Sequence, residues 1–153
     1  MSSPINVGVI GCGYWGPNLV RNFKTLTSCR LKAICDVNES RLRHLRTLYT
    51  DMDAHTDAAT LLNDPDVHAL AIATPVAYHY KLAKASLLAG KHTLVEKPLA
   101  ASSAECEELI ESCWVDGSHH QRMSEKSFDF RREQQCPPQD GIEQGPLANA
   151  ISR

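Results

Sequence analysis

Three groups of residues have types and spacings that could do chemistry. Gly11, Gly13 and Gly16 form a G-x-G-x-x-G cluster, with Tyr14 and Trp15 between its last two glycines. Asp36 stands twenty positions after Gly16, and Arg41 five beyond Asp36. Farther on come Thr74, Pro75 and His79, and then Glu96, Lys97 and Pro98. Glycines so spaced offer backbone amides to an anion. The first makes a tight turn, and the second removes a Cβ where phosphates approach. The third lets a helix pack close to a strand with its N-terminus aimed at negative charge. Binding of a dinucleotide pyrophosphate is the chemistry this implies.

The other residues extend that reading along the ligand. A carboxylate at Asp36 would accept hydrogen bonds from ribose hydroxyls and repel a 2′-phosphate; alternatively, it opens a turn or caps the helix that follows. Arg41 could accommodate a 2′-phosphate, or stand as an exposed helix residue. Pro75 and Pro98 stiffen loops that could hold backbone groups against a flat nicotinamide. Lys97 offers a charge and donors that orient a hydroxyl or favour loss of its proton, although a surface lysine would look the same. His79 either reaches this site or packs on the first turn of a helix.

The elements that must position these groups follow from periodicity. An apolar run over 5–10 reads as a strand that stops at the glycines. A helix is expected over 15–27 with Trp15, Leu19, Phe23 and Leu26 on one face, then a strand over 31–36. A second helix is expected over 39–49, burying Leu42, Leu45, Leu48 and Tyr49. A very short strand falls within 51–55, and Thr56 is the expected cap of a brief helix through Leu62. Residues 67–73 carry no charge and read as a strand buried on both faces. A helix over 78–89, a strand over 92–95, and a helix capped by Ser102 or Ser103 complete the series. Strict alternation of strand and helix predicts an α/β fold with a doubly wound parallel sheet and right-handed crossovers.

Composition bounds the remaining choices. The chain has 153 residues, 42% of them hydrophobic, and a net charge of −2. That is room for one domain with a core, and no basic balance calls for nucleic acid or an anionic membrane. No apolar stretch would span a bilayer, and residues 1–4 lack the features of a signal peptide. Six cysteines without a C-x-x-C pair suggest reduced thiols and a cytoplasmic setting. The adjacent pair His119 and His120 has no spaced partner, so no metal site is expected.

The segments 11–18, 73–79 and 89–100, taken together and in order, resemble the Gfo/Idh/MocA oxidoreductases, over roughly residues 4–112. These are NAD(P)-dependent enzymes of sugars, nucleotide sugars and inositols. The Gly-Tyr-Trp-Gly and Thr-Pro-x-x-x-His-Tyr forms are most similar to members acting on UDP-N-acetylated sugars. The resemblance implies a Rossmann fold, a pyrophosphate turn at Gly11, Gly13 and Gly16, a ribose contact at Asp36, and Lys97 beside nicotinamide and substrate as the catalytic group. Tyr14, Trp15, Arg41, Thr74, Pro75, His79 and Glu96 join them as candidate cofactor contacts. NAD is the implied cofactor, with NADP left open. Partners would be a small sugar or nucleotide-sugar substrate and, in an open choice, a second copy of the chain.

Family members continue into a further strand and a second, substrate-binding α/β domain, and nothing after Cys113 resembles either. Residues 1–112 therefore read as the NAD(P)-binding domain and 113–153 as a polar, disordered tail in which Trp114, Phe128 and Phe130 could dock locally. Hydride transfer between a secondary alcohol and nicotinamide is the reading this favours for the family's chemistry. Its rival is a dinucleotide-binding module without turnover. Limited proteolysis is expected to remove the residues beyond about Cys113 and leave a shortened domain that still binds dinucleotide; a protease-resistant tail would show that the polar segment packs.

Overall fold

A computed structural model describes residues 4–113. The expected tail, with Trp114, His119, His120, Phe128 and Phe130, lies outside the described residues. Ten elements alternate: β1 (Ile5–Ile10), α1 (Gly16–Thr25), β2 (Cys29–Cys35), α2 (Glu39–Leu48), β3 (Asp53–His55), α3 (Ala58–Asn63), β4 (Ala69–Ile72), α4 (Val76–Leu88), β5 (His92–Val95) and α5 (Ser103–Ser112). Every strand pair is parallel and the order is β3-β2-β1-β4-β5. Sequence order reverses between β1 and β4, which places the topological switch point at the glycine cluster.

Two faces of the sheet are covered by different helices. Val9, Leu31 and Ile34 pack with Val20 of α1 and with Leu42 and Leu45 of α2. Ile10, Ala33, Cys35 and Leu70 pack with Leu61 of α3, and Ile72 with Ala83 and Leu87 of α4. Strand alternation alone would put Leu31 and Ile34 on opposite faces. The register steps from Val7 opposite Leu31 to Gly8 opposite Ala33, so Lys32 is the extra residue of a bulge and the faces exchange there. Lys32 then turns to Asp64 at 2.8 Å and Asp66 at 3.0 Å.

Helix ends follow side-chain chemistry. Asn38 caps α2 by accepting from Ser40 N at 2.9 Å. Asp57 caps α3 by accepting from Ala59 N at 2.9 Å, one residue beyond the expected Thr56. A carboxylate is the stronger acceptor for free amides at a positive helix end. The helix α4 starts at Val76, before the expected Tyr78, with Pro75 as the extended residue that precedes its first turn, where a missing N–H costs no helical hydrogen bond. The same helix ends at Gly90 with φ 72°, where Lys91 N donates to Ser86 O and Gly90 N to Leu87 O. Ser102 caps α5.

Three expected faces shift. Trp15 is 52% exposed and Leu26 50%, since α1 runs only from Gly16 to Thr25 and buries Val20 instead. Leu48 is 60% exposed: at 3.6 residues per turn it lies beyond the stripe formed by Leu42, Leu45 and Tyr49. The fourth strand is shorter than the apolar run, although His68 N and Ala73 N extend its hydrogen bonds to Asn6 O and Ile10 O.

Glycine substitutions separate hard from soft contacts. A Cβ at Gly8 would meet the methyl ends of Leu70 and Leu61 at 2.8 and 2.9 Å, which can move. A Cβ at Gly16 would lie 2.1 Å from Gly11 O, which cannot. Gly8→Ala is expected to cost about 1–3 kcal/mol and Gly16→Ala more than about 4 kcal/mol in denaturant unfolding. Equal losses would contradict the rigidity of the α1–β1 junction.

Candidate functional site

The loops that follow β1, β2, β4 and β5 leave the carboxyl edge of the parallel sheet, where such folds bind ligands. Gly11 leaves β1 with φ 96°, a conformation that disfavours any side chain. A Cβ there would also lie 2.7 Å from the carbonyl carbon and oxygen of Ala73 and 2.8 Å from Thr74 N. The end of β4 thus presses on the turn from one side, and α1 presses through Gly16 from the other. Gly13 differs, because a Cβ there would meet only the Arg41 guanidinium, at 3.6 Å. Two glycines are required by packing, and the third leaves open space.

Asp36 follows directly after β2 and is buried. Its Oδ2 accepts from Cys12 N at 2.7 Å, and its Oδ1 from Asn38 N at 2.8 Å. Arg41 Nη1 lies 3.4 Å from Oδ2, with the arginine side chain half exposed. The carboxylate therefore braces the glycine loop, opens the turn into α2, and holds a cation beside Gly13. Its two sequence-level readings, turn-former and ligand contact, do not exclude each other: each oxygen has further lone pairs.

The second pair of loops meets on the other side of the switch point. Thr74 and Pro75 follow β4; Glu96, Lys97 and Pro98 follow β5, joined to β4 by Glu96 N donating to Ile72 O at 2.9 Å. Lys97 is exposed and, among the described residues, makes no hydrogen bond or ion pair. The Thr74 hydroxyl is buried without a partner among the described residues. His79 does not face solvent at the loop mouths. It is 2% exposed, with Nδ1 2.8 Å from Pro98 O and Nε2 2.7 Å from Thr74 O.

Exposed apolar side chains gather along the same edge. Tyr14 and Trp15 meet edge to face, with centroids 5.3 Å apart, on the glycine loop. Val37, next after Asp36, is 91% exposed, and Tyr78 stands exposed at the start of α4. Such side chains are unremarkable singly, and their alignment along one edge marks a binding surface. A cavity of about 290 Å³ lies beside this edge, near His55 and Thr56, and does not include the glycine loop. Among the described residues the candidate site is an open ledge at the end of the sheet.

Among the described residues no cluster of His, Cys, Asp or Glu could hold a metal. The five described cysteines are free. Burial, and then the Asp36 charge, push the Cys12 thiol up to about 12 and Cys35 to about 11. Sequence reasoning missed the parts played by Cys12, Asn38 and Pro98. Cys12 and Pro98 act through main-chain atoms and leave no mark on residue type. Asn38, placed just before Glu39, carried a readable N-cap signal.

Comparison with known proteins agrees with this geometry. Residues 5–119 match the family model of the Gfo/Idh/MocA oxidoreductases, described as an oxidoreductase family with an NAD-binding Rossmann fold. Inositol 2-dehydrogenase 2 of Saccharopolyspora erythraea is 35% identical over 109 residues, 71% of this chain and 32% of that protein. A glycosyl hydrolase family 109 protein of Shewanella sp. (strain ANA-3) is 33% identical over 117 residues, 71% of this chain and 26% of that protein. The crystal structure of a probable dehydrogenase from Thermotoga maritima superposes with a TM-score of 0.68 at 34% identity, covering 71% of this chain and 32% of that one. The chain spans about a third or less of the length of the curated relatives it matches.

Thiol chemistry at this ledge is expected to be silent. At pH 8 iodoacetamide should leave Cys12 and Cys35 unmodified in the folded chain and label both in denaturant, as read by peptide mass spectrometry. Rapid native labelling of Cys12 would contradict the burial of the glycine turn.

Proposed function

The chain belongs to the Gfo/Idh/MocA oxidoreductases through their NAD-binding Rossmann domain, and from that premise we propose how its residues divide the dinucleotide between them. Residues 11–16 hold the pyrophosphate through backbone amides at the turn and the start of α1. Asp36 receives the adenosine ribose hydroxyls, Val37 offers an apolar surface to the adenine, and Arg41 faces any charge on the 2′ position. The nicotinamide half then extends to the other side of the switch point, over Thr74, Pro75 and the Glu96-Lys97-Pro98 loop. The observation that carries this division is the glycine series. The backbone of Ala73 and Thr74 presses on Gly11, and α1 on the same turn through Gly16, while Gly13 remains open. The buried hydroxyl of Thr74 is a second sign, because an unpartnered donor at a strand end has a use for a ligand.

When bound, NAD supplies a two-electron acceptor for hydride. Lys97 brings an exposed ammonium group, without a partner among the described residues, to that end, able to hold a substrate hydroxyl and to stabilise the oxygen as its proton leaves. Residues 1–112 are the cofactor-binding domain in this reading. A substrate with ring hydroxyls is supported by the names of the relatives, an inositol dehydrogenase and a glycosyl hydrolase family protein. Nucleotide sugars remain an alternative within the same chemistry. The ledge is open, and hydride transfer demands positioning worth roughly 7–11 kcal/mol of barrier. Turnover therefore calls for residues outside the ledge to orient the substrate and exclude water, and a chain that binds without turnover is the second reading.

Two variants test the division. Gly13→Val leaves the fold intact, because only the Arg41 guanidinium is near, but blocks the approach of phosphate; NAD affinity by tryptophan fluorescence is expected to fall at least about tenfold, one lost charge-assisted contact. Asp36→Ala is expected to lose about 1–3 kcal/mol of NAD affinity and to narrow preference for NAD over NADP. It also destabilises the domain, since Cys12 N and Asn38 N lose their acceptor. Unchanged NAD affinity in either folded variant would overturn the assignment, and tighter binding of NADP by the unmodified chain would assign Arg41 to a 2′-phosphate.

A further inference from the structure

His79 lies in the first turn of α4 and is one of the few polar side chains in the buried interior. Both ring nitrogens approach main-chain carbonyls from different loops, Thr74 O at 2.7 Å and Pro98 O at 2.8 Å. These carbonyls follow the ends of β4 and β5, beyond the sheet ladder, and need donors from elsewhere. The loops cannot supply each other through Pro75 or Pro98, which have no N–H. A ring protonated on both nitrogens donates to both carbonyls; a neutral ring donates to one and leaves the other oxygen facing a lone pair. Either way the ring fills the space between the loops and sets their separation.

We propose that His79 is a positioning residue for the nicotinamide half of the site. Its ring joins the loop after β4 to the loop after β5 and so fixes where Lys97 stands relative to Thr74 and Pro75. Lys97 immediately precedes Pro98, whose carbonyl the ring holds, and has no anchor of its own among the described residues. A long, exposed lysine placed by its backbone alone depends on that backbone being held. Asp36 and the glycine loop, by contrast, are braced through Cys12 N and Asn38 N, and meet the residues His79 holds only where Ala73 and Thr74 pack on Gly11. The inference rests on the division of the dinucleotide proposed above and adds a consequence that division does not contain: the two halves of the ligand should respond differently to one substitution.

His79→Phe roughly keeps the volume and removes the ring's hydrogen bonding, and His79→Gln keeps an amide donor. Affinities of the whole chain for NADH and for ADP-ribose, which lacks the nicotinamide, are measured by fluorescence and calorimetry, with thermal unfolding alongside. His79→Phe is expected to weaken NADH about tenfold, the equivalent of one or two ordinary hydrogen bonds, and to leave ADP-ribose within about twofold. His79→Gln should recover part of the difference, and it carries the comparison if the phenylalanine variant does not fold. Amide resonances of Lys97 and Thr74 should shift in both variants while those of Gly13 and Asp36 stay in place. Equal losses for the two ligands would mean a purely structural histidine and overturn the proposal, as would no loss for either. If the unmodified chain binds neither ligand, the assignment of the ledge itself fails; if it binds ADP-ribose and NADH equally well, only the nicotinamide half fails, and His79 with it.

Discussion

The approach of three backbone segments around Gly11 constrains everything else at the carboxyl edge of the sheet. The turn after β1 is pressed by Ala73 and Thr74 on one flank and by the start of α1 on the other, where a Cβ at Gly16 would stand 2.1 Å from Gly11 O. No side chain can enter these gaps, so α1 begins unusually close to the strand that feeds it. Its first amides thereby face the space beyond the strand end instead of being covered by a residue of the loop. The proposed anion site is then not an addition to the fold: it would be the unfilled end of a helix that close packing has drawn against the sheet.

From that junction the influence passes to Asp36 through one hydrogen bond. Cys12 N lies within the turn, and its donation to Asp36 Oδ2 ties the glycine loop to the end of β2. The buried carboxylate has two amide donors and a neighbouring arginine, so its oxygens are matched inside the domain. The same arrangement moderates its power to discriminate between cofactors. Arg41 lies on the carboxylate and beside Gly13, so the charge seen by a ligand at this end is that of a pair. On the proposed division, preference between NAD and NADP would follow from how the pair opens, and the half-exposed arginine is its more accessible member.

Most of the architecture was legible in the sequence because it rests on signals of period and punctuation. The glycine cluster, the acidic residue after the second strand, Gly90, Ser102 and the alternation of strand with helix all report local backbone needs. Departures occur where a tertiary contact decides. The bulge at Lys32 exchanges the two faces of β2, and no alternation pattern predicts it, because the register is set by the pairing partner. Trp15 has the spacing of a core residue for α1 yet stands exposed, since close packing at Gly16 starts the helix one position later. In the site, the side chains that carry charge or lack a Cβ were readable, and the main-chain atoms of Cys12, Thr74 and Pro98 were not. His79 shows the limit most clearly: its residue type left open whether it reached the site or packed, and the structure encloses it between two carbonyls.

The arrangement also explains why one half of the ledge is finished and the other is not. Around the glycines the turn is fixed by contacts within the domain, Cys12 N donating to Asp36 Oδ2 and Asn38 N to Oδ1, so in the proposed division the pyrophosphate and ribose positions are shaped before any ligand arrives. Preorganisation of that kind reduces what binding must spend on ordering. At the nicotinamide end the Thr74 hydroxyl lacks a partner among the described residues, Lys97 is unanchored, and exposed Tyr78 stands nearby on α4. A buried hydroxyl is unfavourable to leave unmatched, the exposed Lys97 ammonium faces water and has no partner among the described residues, and both are groups that a carboxamide or a hydroxyl would satisfy. On the proposed division, the adenosine half would thus be built for affinity and the nicotinamide half completed by the reacting partners. Selection among polyhydroxylated substrates would then fall to whatever encloses that second half, with the ledge as the fixed frame for the choice.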